Sequence, residues 1–183
     1  MTTGIQNVVM GANAGDALTD GEDNVSLGYN ALGAETSGDG NVALGWSTLP
    51  VQNGANYNIA IGHQAGKVNA TGATHIFVGR DTGLLTTAAD NLTFIGDQAG
   101  NAANYSGRNL VALGYDAQPS AAGANDEVTL GSSGVATLRC AVNTITLISD
   151  ERDKTDIQVI DYGLDLIEYL RPRKFTCNSR NGG

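Results

Sequence analysis

The chain has 183 residues and a formal net charge of −9, and only 16% of its residues are charged. A hydrophobic content of 41% with so little charge excludes an intrinsically disordered chain, which has the reverse balance. The negative charge disfavours sequence-independent binding to nucleic acid and to anionic membranes. Aromatic residues make up 5% of the chain and glycine accounts for 25 residues, so we expect a thin structure of tight turns rather than a conventional pocket enzyme.

A five-residue block that ends in glycine recurs along most of the chain. The copies read NVVMG, NVSLG, NVALG, NIAIG, HIFVG, LTFIG, LVALG and EVTLG. Their final residues are Gly11, Gly28, Gly45, Gly62, Gly79, Gly96, Gly114 and Gly131, so the position advances by 17 each time, except once by 18. A fixed period of this length is the signature of a repeat architecture, in which one small unit is stacked many times.

Each block predicts one short β-strand that ends at its glycine. The residues one and three positions before the glycine are apolar in almost every copy, and they share one face because side chains alternate along a strand. The residue between them varies and is expected to face the other way. The glycine is expected to take a positive φ or to lie against a neighbouring backbone. A small residue three positions later marks a second tight point of each coil.

A 17-residue unit with one strand cannot bury its own apolar face, so the units must stack into a parallel β-solenoid of about eight coils. Stacking at ~4.8 Å per strand gives a rod roughly 40 Å long. Two apolar residues per coil make a small core, which favours the association of several rods. We therefore expect a homotrimer, with a monomeric solenoid as the structural alternative.

The repeats resemble those of two families of trimeric proteins. The pattern N-[VI]-x-[hydrophobic]-G, with a small residue three positions later, is similar over residues 7–134 to the head repeats of trimeric autotransporter adhesins. It is equally similar to the stalk and collar repeats of bacteriophage tail fibres. In both families the repeats form left-handed parallel β-rolls packed as a trimer, which is what the resemblance implies here. The repeats alone do not separate an adhesin from a fibre.

The character of the chain changes near residue 149. β-Branched residues alternate within 135–148, which predicts a strand that forms a neck. Beyond it, a pattern that begins at Asp161 and ends at Pro172 predicts a short capped helix. The predicted organisation is a solenoid at 1–134, a neck at 135–148 and a small helical segment at 149–183, all-β apart from that segment.

The C-terminal segment carries a second resemblance. Its residues S-D-x-R-x-K-x-x-I, followed by GLDLI and LRP, are similar to the start of the intramolecular chaperone domain of endosialidases and phage tail fibres. That domain also resembles the self-cleaving region of the myelin regulatory factor. The resemblance implies Ser149 as nucleophile and Lys154 as its general base, with cleavage at the Ile148–Ser149 bond. The family domain is longer, so residues 149–183 correspond only to its N-terminal part.

The residue directly after each repeat glycine differs from coil to coil. Aromatic or histidine side chains occupy this column at Tyr29, Trp46, His63 and Tyr115. We interpret them as a candidate receptor-binding stripe, because such rings stack on sugars; filling a groove between protomers is the competing interpretation. No spacing of metal ligands and no cofactor motif appears, so we expect neither a metal nor a cofactor.

The two resemblances together imply a structural virion protein, namely a homotrimeric segment of a phage tail fibre that is made in the host cytoplasm. Its expected partners are other tail or fibre proteins and a glycan or protein receptor on the host surface, without nucleic acid or membrane insertion. At most, we expect a single self-cleavage by the serine–lysine pair, with no turnover of an external substrate. The alternative function is the head domain of a bacterial trimeric autotransporter adhesin.

Overall fold

Eight short strands follow one another along the chain in the computed structural model, which describes residues 4–137 and residue 139. They are β1 Val8–Met10, β2 Val25–Leu27, β3 Val42–Leu44, β4 Ile59–Ile61, β5 Ile76–Val78, β6 Leu92–Ile95, β7 Leu110–Leu113 and β8 Glu127–Leu130. The described residues contain no helix. Residues 135–137, at the start of the predicted neck, are not in a strand. Apart from residue 139, the rest of the predicted neck lies outside the described residues, and so does the predicted helix.

All eight strands form one parallel sheet in chain order, β1 to β8. Val8 pairs with Val25, and Val25 pairs with Val42, so each pairing advances the chain by one full repeat period. Between β6 and β7 the step is longer by one, because Thr93 pairs with Val111. Parallel neighbours in consecutive order require the chain to complete one full coil between strands. The predicted all-β parallel solenoid is therefore confirmed, with about seven turns.

Each coil turns where the backbone takes a positive φ. The repeat glycines from Gly11 to Gly114 have φ between 119° and 138°. A Cβ added to Gly45 would overlap the carbonyl oxygen of Gly62 in the next coil, so both reasons predicted for this glycine column hold. The predicted small column three residues later is also confirmed as a tight point, since Ala31, Ala65 and Ala99 are fully buried there.

The two faces of the strands are the reverse of the expected arrangement. The middle residue of a strand points into the coil, so that Ala43, Ala60 and Phe77 are fully buried. The flanking apolar residues point outwards, and the more open of them are exposed by 37% to 69%. The expectation that these two columns form the core is therefore wrong. We call them the apolar stripe: Val8, Met10, Val25, Leu27, Val42, Leu44, Ile59, Ile61, Ile76, Val78, Thr93, Ile95, Val111, Leu113, Val128 and Leu130.

The actual core is built from strand centres and turn residues of complementary size. Ala43 at the centre of β3 is small, and Leu49 from the following turn fills the same coil. Phe77 at the centre of β5 is large, and the equivalent turn position holds Gly83. The rings of Phe77 and Phe94 stack with centroids 5.7 Å apart, which continues the packing from one coil to the next.

Candidate functional site

The predicted receptor-binding residues lie in one column along a margin of the apolar stripe. Each member follows a strand-ending glycine, so the parallel register places successive members about 4.8 Å apart. We call this the surface column, and from β2 to β7 it consists of Tyr29, Trp46, His63, Arg80, Asp97 and Tyr115. All of its members except Asp97 are exposed.

Three of the predicted residues form a continuous ring stack. The rings of Tyr29 and Trp46 are 6.0 Å apart with an interplanar angle of 15°. Those of Trp46 and His63 are 4.8 Å apart at 9°. Both faces of the Trp46 indole are therefore covered, and only its edge remains open. Because a sugar packs against an open ring face, Trp46 offers no such face, whereas Tyr29 and His63 each keep one face outside the stack.

Tyr115 stands apart from this stack. Among the described residues it makes no ring contact, and its neighbours along the surface column are Asp97 and Ser132. The four residues predicted to form one stripe are thus divided into a packed group of three and a single exposed tyrosine.

Charged side chains continue the surface column beyond His63. The Arg80 guanidinium donates to Asp97 Oδ2 at 2.9 Å and lies 3.6 Å from Asp81 Oδ2. The hydrogen bond with Asp97 is the main cause that raises the pKa of Arg80. Asp81 also lies 3.6 Å from His63 Nδ1, so it joins the ring stack to the ion pairs. Because Arg80 is exposed, these pairs order the surface more than they stabilise the fold.

An asparagine ladder that was not predicted runs through the interior beside the strands. Asn41 N donates to Asn24 Oδ1 at 2.8 Å, and Asn58 N donates to Asn41 Oδ1 at 3.0 Å. The side-chain amide of Asn41 donates to the carbonyl of Ala55 in the next turn. The signal was present, since the first letter of the repeat block is asparagine in its first four copies. These bonds satisfy buried backbone groups that strand pairing does not reach.

His75 occupies the next position of the asparagine ladder. It is fully buried, and its Nδ1 accepts the amide of Leu92 at 3.2 Å, so the neutral ring carries its proton on Nε2. Burial lowers the pKa of His75 to about 4, although Asp90 and the carbonyl of Ala89 partly offset this. His75 is therefore neutral at pH 7 and is a structural member of the ladder.

A buried carboxylate closes one turn of the second coil. Glu35 is fully buried, and its Oε1 accepts the amides of residues 36–38 and of Gly54 at 2.6–3.1 Å. Its Oε2 accepts the Gln52 side-chain amide at 3.1 Å. Five donors thus surround one carboxylate, which is how a protein compensates the cost of burying a charge. This group has a structural role because all its nearby partners belong to the turns themselves.

No cluster of histidine, cysteine, aspartate and glutamate that would suit a metal ion occurs within residues 4–137. Nor does that part of the chain contain a helix with the length and apolar character of a membrane span. Ser149, Lys154 and the Ile148–Ser149 bond lie outside the described residues. No protein-family model, curated protein or solved structure matches this chain. Its resemblances to fibres, adhesins and chaperone domains therefore depend on the quoted motifs alone.

Proposed function

We propose that this chain is a homotrimeric segment of a phage tail fibre that takes part in attachment to the host cell. The observation that carries the homotrimer is the outward-facing apolar stripe. Fifteen of its sixteen residues are apolar, Thr93 being the exception. One face of a sheet in a monomeric protein either packs on a core or carries polar residues, and this face does neither.

A second copy of the chain is the occupant that best fits this stripe. The stripe repeats at every coil, with one strand's residues directly beside the next. In a parallel trimer each coil of one protomer meets the same coil of its neighbours, so three identical stripes cover one another along their whole length. The resemblance of residues 7–134 to trimeric repeats supports the number three.

The choice of a fibre over an adhesin head rests on the C-terminal segment. Residues 149–157, with the LRP that follows at 170–172, resemble the intramolecular chaperone that assists trimerisation of phage fibres. An adhesin head would display the same apolar stripe. We therefore place the protein in the virion, with other tail or fibre proteins and a host-surface glycan or protein as its partners.

Native mass spectrometry tests the trimer directly. We expect a species at three times the chain mass of 18.8 kDa. The variant Ile61→Glu introduces a charge into the middle of the stripe and is expected to give monomers. Leu85→Glu, on an exposed turn residue outside the stripe, is the matched control and should remain trimeric. A wild-type monomer at 18.8 kDa would contradict the proposal.

The proposed self-cleavage is tested by a denaturing mass spectrum of the same sample. The Ser149 hydroxyl, activated by a nearby amine, would attack the carbonyl carbon of Ile148, and the bond from this carbon to the Ser149 nitrogen would break to leave an ester and a free amino group. Water would then hydrolyse the ester, which gives Ile148 a carboxylate, restores the Ser149 hydroxyl and releases a fragment that begins at Ser149. Ser149→Ala and Lys154→Ala are expected to abolish this fragment, whereas the control Ser179→Ala should leave it unchanged. Intact wild-type chains in an established trimer would remove the self-cleavage and leave the fibre proposal standing.

A further inference from the structure

We infer that Trp46 and Tyr57, on opposite margins of the apolar stripe, are the main anchors of the interface between protomers. This inference rests on the proposed homotrimer and goes beyond it by naming the residues that provide most of the association energy. It also assigns the ring stack around Trp46 to contact with a second copy of this chain rather than to a sugar.

The size of the stripe is the first argument. Eight strands at ~4.8 Å give a face about 38 Å long, and two columns separated by two residues give a width of only ~7 Å. The resulting area of roughly 270 Å² is far below the ~800 Å² per partner of a stable interface. Including the columns on both margins widens the face to at most ~20 Å and its area to about 760 Å². A stable assembly therefore needs the margins as well as the stripe.

One margin is the surface column, and Trp46 is its largest side chain. The indole is 46% exposed, yet Tyr29 and His63 hold it by stacking on both of its faces. Because the stack already fixes the Trp46 side chain, this side chain loses little conformational entropy when a partner covers its open edge. Large aromatic residues held in this way are typical of the few positions that dominate binding energy.

The other margin is formed by the residues five positions before each repeat glycine. There Tyr57 is 64% exposed and takes a φ of 59°, which directs the chain into β4. A Cβ added to Gly40 would lie 2.8 Å from the Tyr57 ring, so this ring covers the glycine of the preceding coil. Tyr57 lies two residues before β4 begins, and Trp46 lies two residues after β3 ends. The heights of the two exposed aromatic side chains along the solenoid therefore differ by about one coil at most.

Threefold symmetry brings these two margins together. About an axis parallel to the solenoid, one margin of a protomer meets the opposite margin of the next, since a threefold contact joins two different patches. Trp46 of one protomer would then pack near Tyr57 and Gly40 of its neighbour. The ring over Gly40 provides the shallow apolar surface against which the indole edge packs.

The single tryptophan of the chain makes the inference measurable. We expect Trp46 emission in the wild-type trimer to be blue-shifted and protected from acrylamide quenching. Trp46→Ala and Tyr57→Ala are each expected to raise the concentration at which the trimer dissociates by at least tenfold, as measured by native mass spectrometry on dilution. Leu85→Ala is the matched control, since Leu85 is 41% exposed outside the face and should leave dissociation unchanged.

The outcomes separate this inference from the proposed function. A wild-type trimer whose Trp46 is freely quenched, or whose Trp46→Ala variant dissociates like Leu85→Ala, overturns the inference and leaves the fibre proposal intact. A change in Trp46 emission when neutral oligosaccharides are added to the intact trimer would assign the stack to sugar binding and also overturns it. A monomeric wild type overturns the proposed function itself.

Discussion

The ring of Phe77 fills the space that a side chain at residue 83 would need. A Cβ added to Gly83 would lie 2.7 Å from Cε1 of Phe77, and Gly83 has a φ of 58°. Two coils earlier the equivalent positions hold Ala43 and Leu49, both fully buried, and Leu49 takes a φ of 44°. The solenoid therefore accepts either a large strand centre or a large turn residue in one coil.

Exchanging this pair provides the first prediction. Phe77→Ala alone leaves a cavity and is expected to lower the free energy of unfolding by about 3–5 kcal/mol. Gly83→Leu alone places atoms inside the Phe77 ring and is expected to destabilise by a similar amount or prevent folding. The double variant reproduces the Ala43–Leu49 combination and should recover at least ~1 kcal/mol relative to Phe77→Ala. Denaturant unfolding followed by circular dichroism measures all three.

Additive effects of the two changes would contradict this account of the core. Full recovery is not expected, because the Phe77 ring also stacks on His75 at 4.8 Å and on Phe94 at 5.7 Å. A leucine that projects from the turn does not replace those ring contacts.

The repeat period predicted the architecture because the same block recurs in the sequence of every coil. Gly45 and Gly62 stand one period apart in the sequence, and the same spacing pairs Val42 with Ile59 in the sheet. The positive φ of Gly45 was also predicted from the sequence. Glycine recurs at this position in every repeat, which indicates a backbone conformation that residues with a side chain rarely adopt. The stacking of Trp46 on His63 is a direct consequence of the same register.

The pattern did not predict which face of each strand points into the coil, nor which polar groups are buried. Alternation separates two faces without saying which is inside, and in β1 the middle residue Val9 is as apolar as its neighbours Val8 and Met10. The interior is narrow, so it selects for matched volumes rather than for apolar character. Glu35 is buried through five hydrogen bonds that only the folded turns bring together. Such a single charged residue carries no periodic signal.

Asn41→Ala tests the asparagine ladder. The change leaves the buried amide of Asn58 without its acceptor and removes one of the two donors to the Ala55 carbonyl. We expect a loss of about 2–3 kcal/mol in the free energy of unfolding, because an orphaned buried donor costs more than a hydrogen bond contributes. Amide exchange measured by NMR should accelerate at Asn58 in particular. Leu85→Ala, at an exposed turn position, should leave the exchange at Asn58 unchanged.

Glu35→Gln tests the buried carboxylate with almost no change of volume. In glutamine, an NH₂ group replaces one of the two carboxylate oxygens. This NH₂ group must face either the backbone amides or the side-chain amide of Gln52, and in both orientations two hydrogen-bond donors face each other. The side-chain amide of Gln52 cannot rotate by 180° to present its oxygen instead, because Gln52 Oε1 already accepts a hydrogen bond from the Asn58 side chain. We expect a loss of about 1–3 kcal/mol in thermal or denaturant unfolding. A variant as stable as the wild type would show that the turn does not depend on the charged acceptor.

Acid should destabilise the solenoid through His75. Its pKa is about 4 in the folded chain, against 6.5 when it is exposed in the unfolded chain. Below pH 6.5 the unfolded state therefore binds a proton that the folded state does not, and stability falls as the pH is lowered towards 4. The difference corresponds to about 3 kcal/mol lost over this window. Urea midpoints measured between pH 7 and pH 4 should decrease accordingly.

His75→Asn separates this effect from the titration of carboxylates in the same range. Asparagine occupies the equivalent position in the four preceding coils, and its side-chain oxygen is able to accept the Leu92 amide as His75 Nδ1 does. The variant loses the ring contact with Phe77, so its stability at pH 7 is not the decisive quantity. The decisive quantity is the slope of stability against pH, which should flatten between pH 6.5 and 4 because no buried imidazole remains to be protonated on unfolding. Parallel slopes for wild type and variant would show that His75 is not the source of the acid sensitivity.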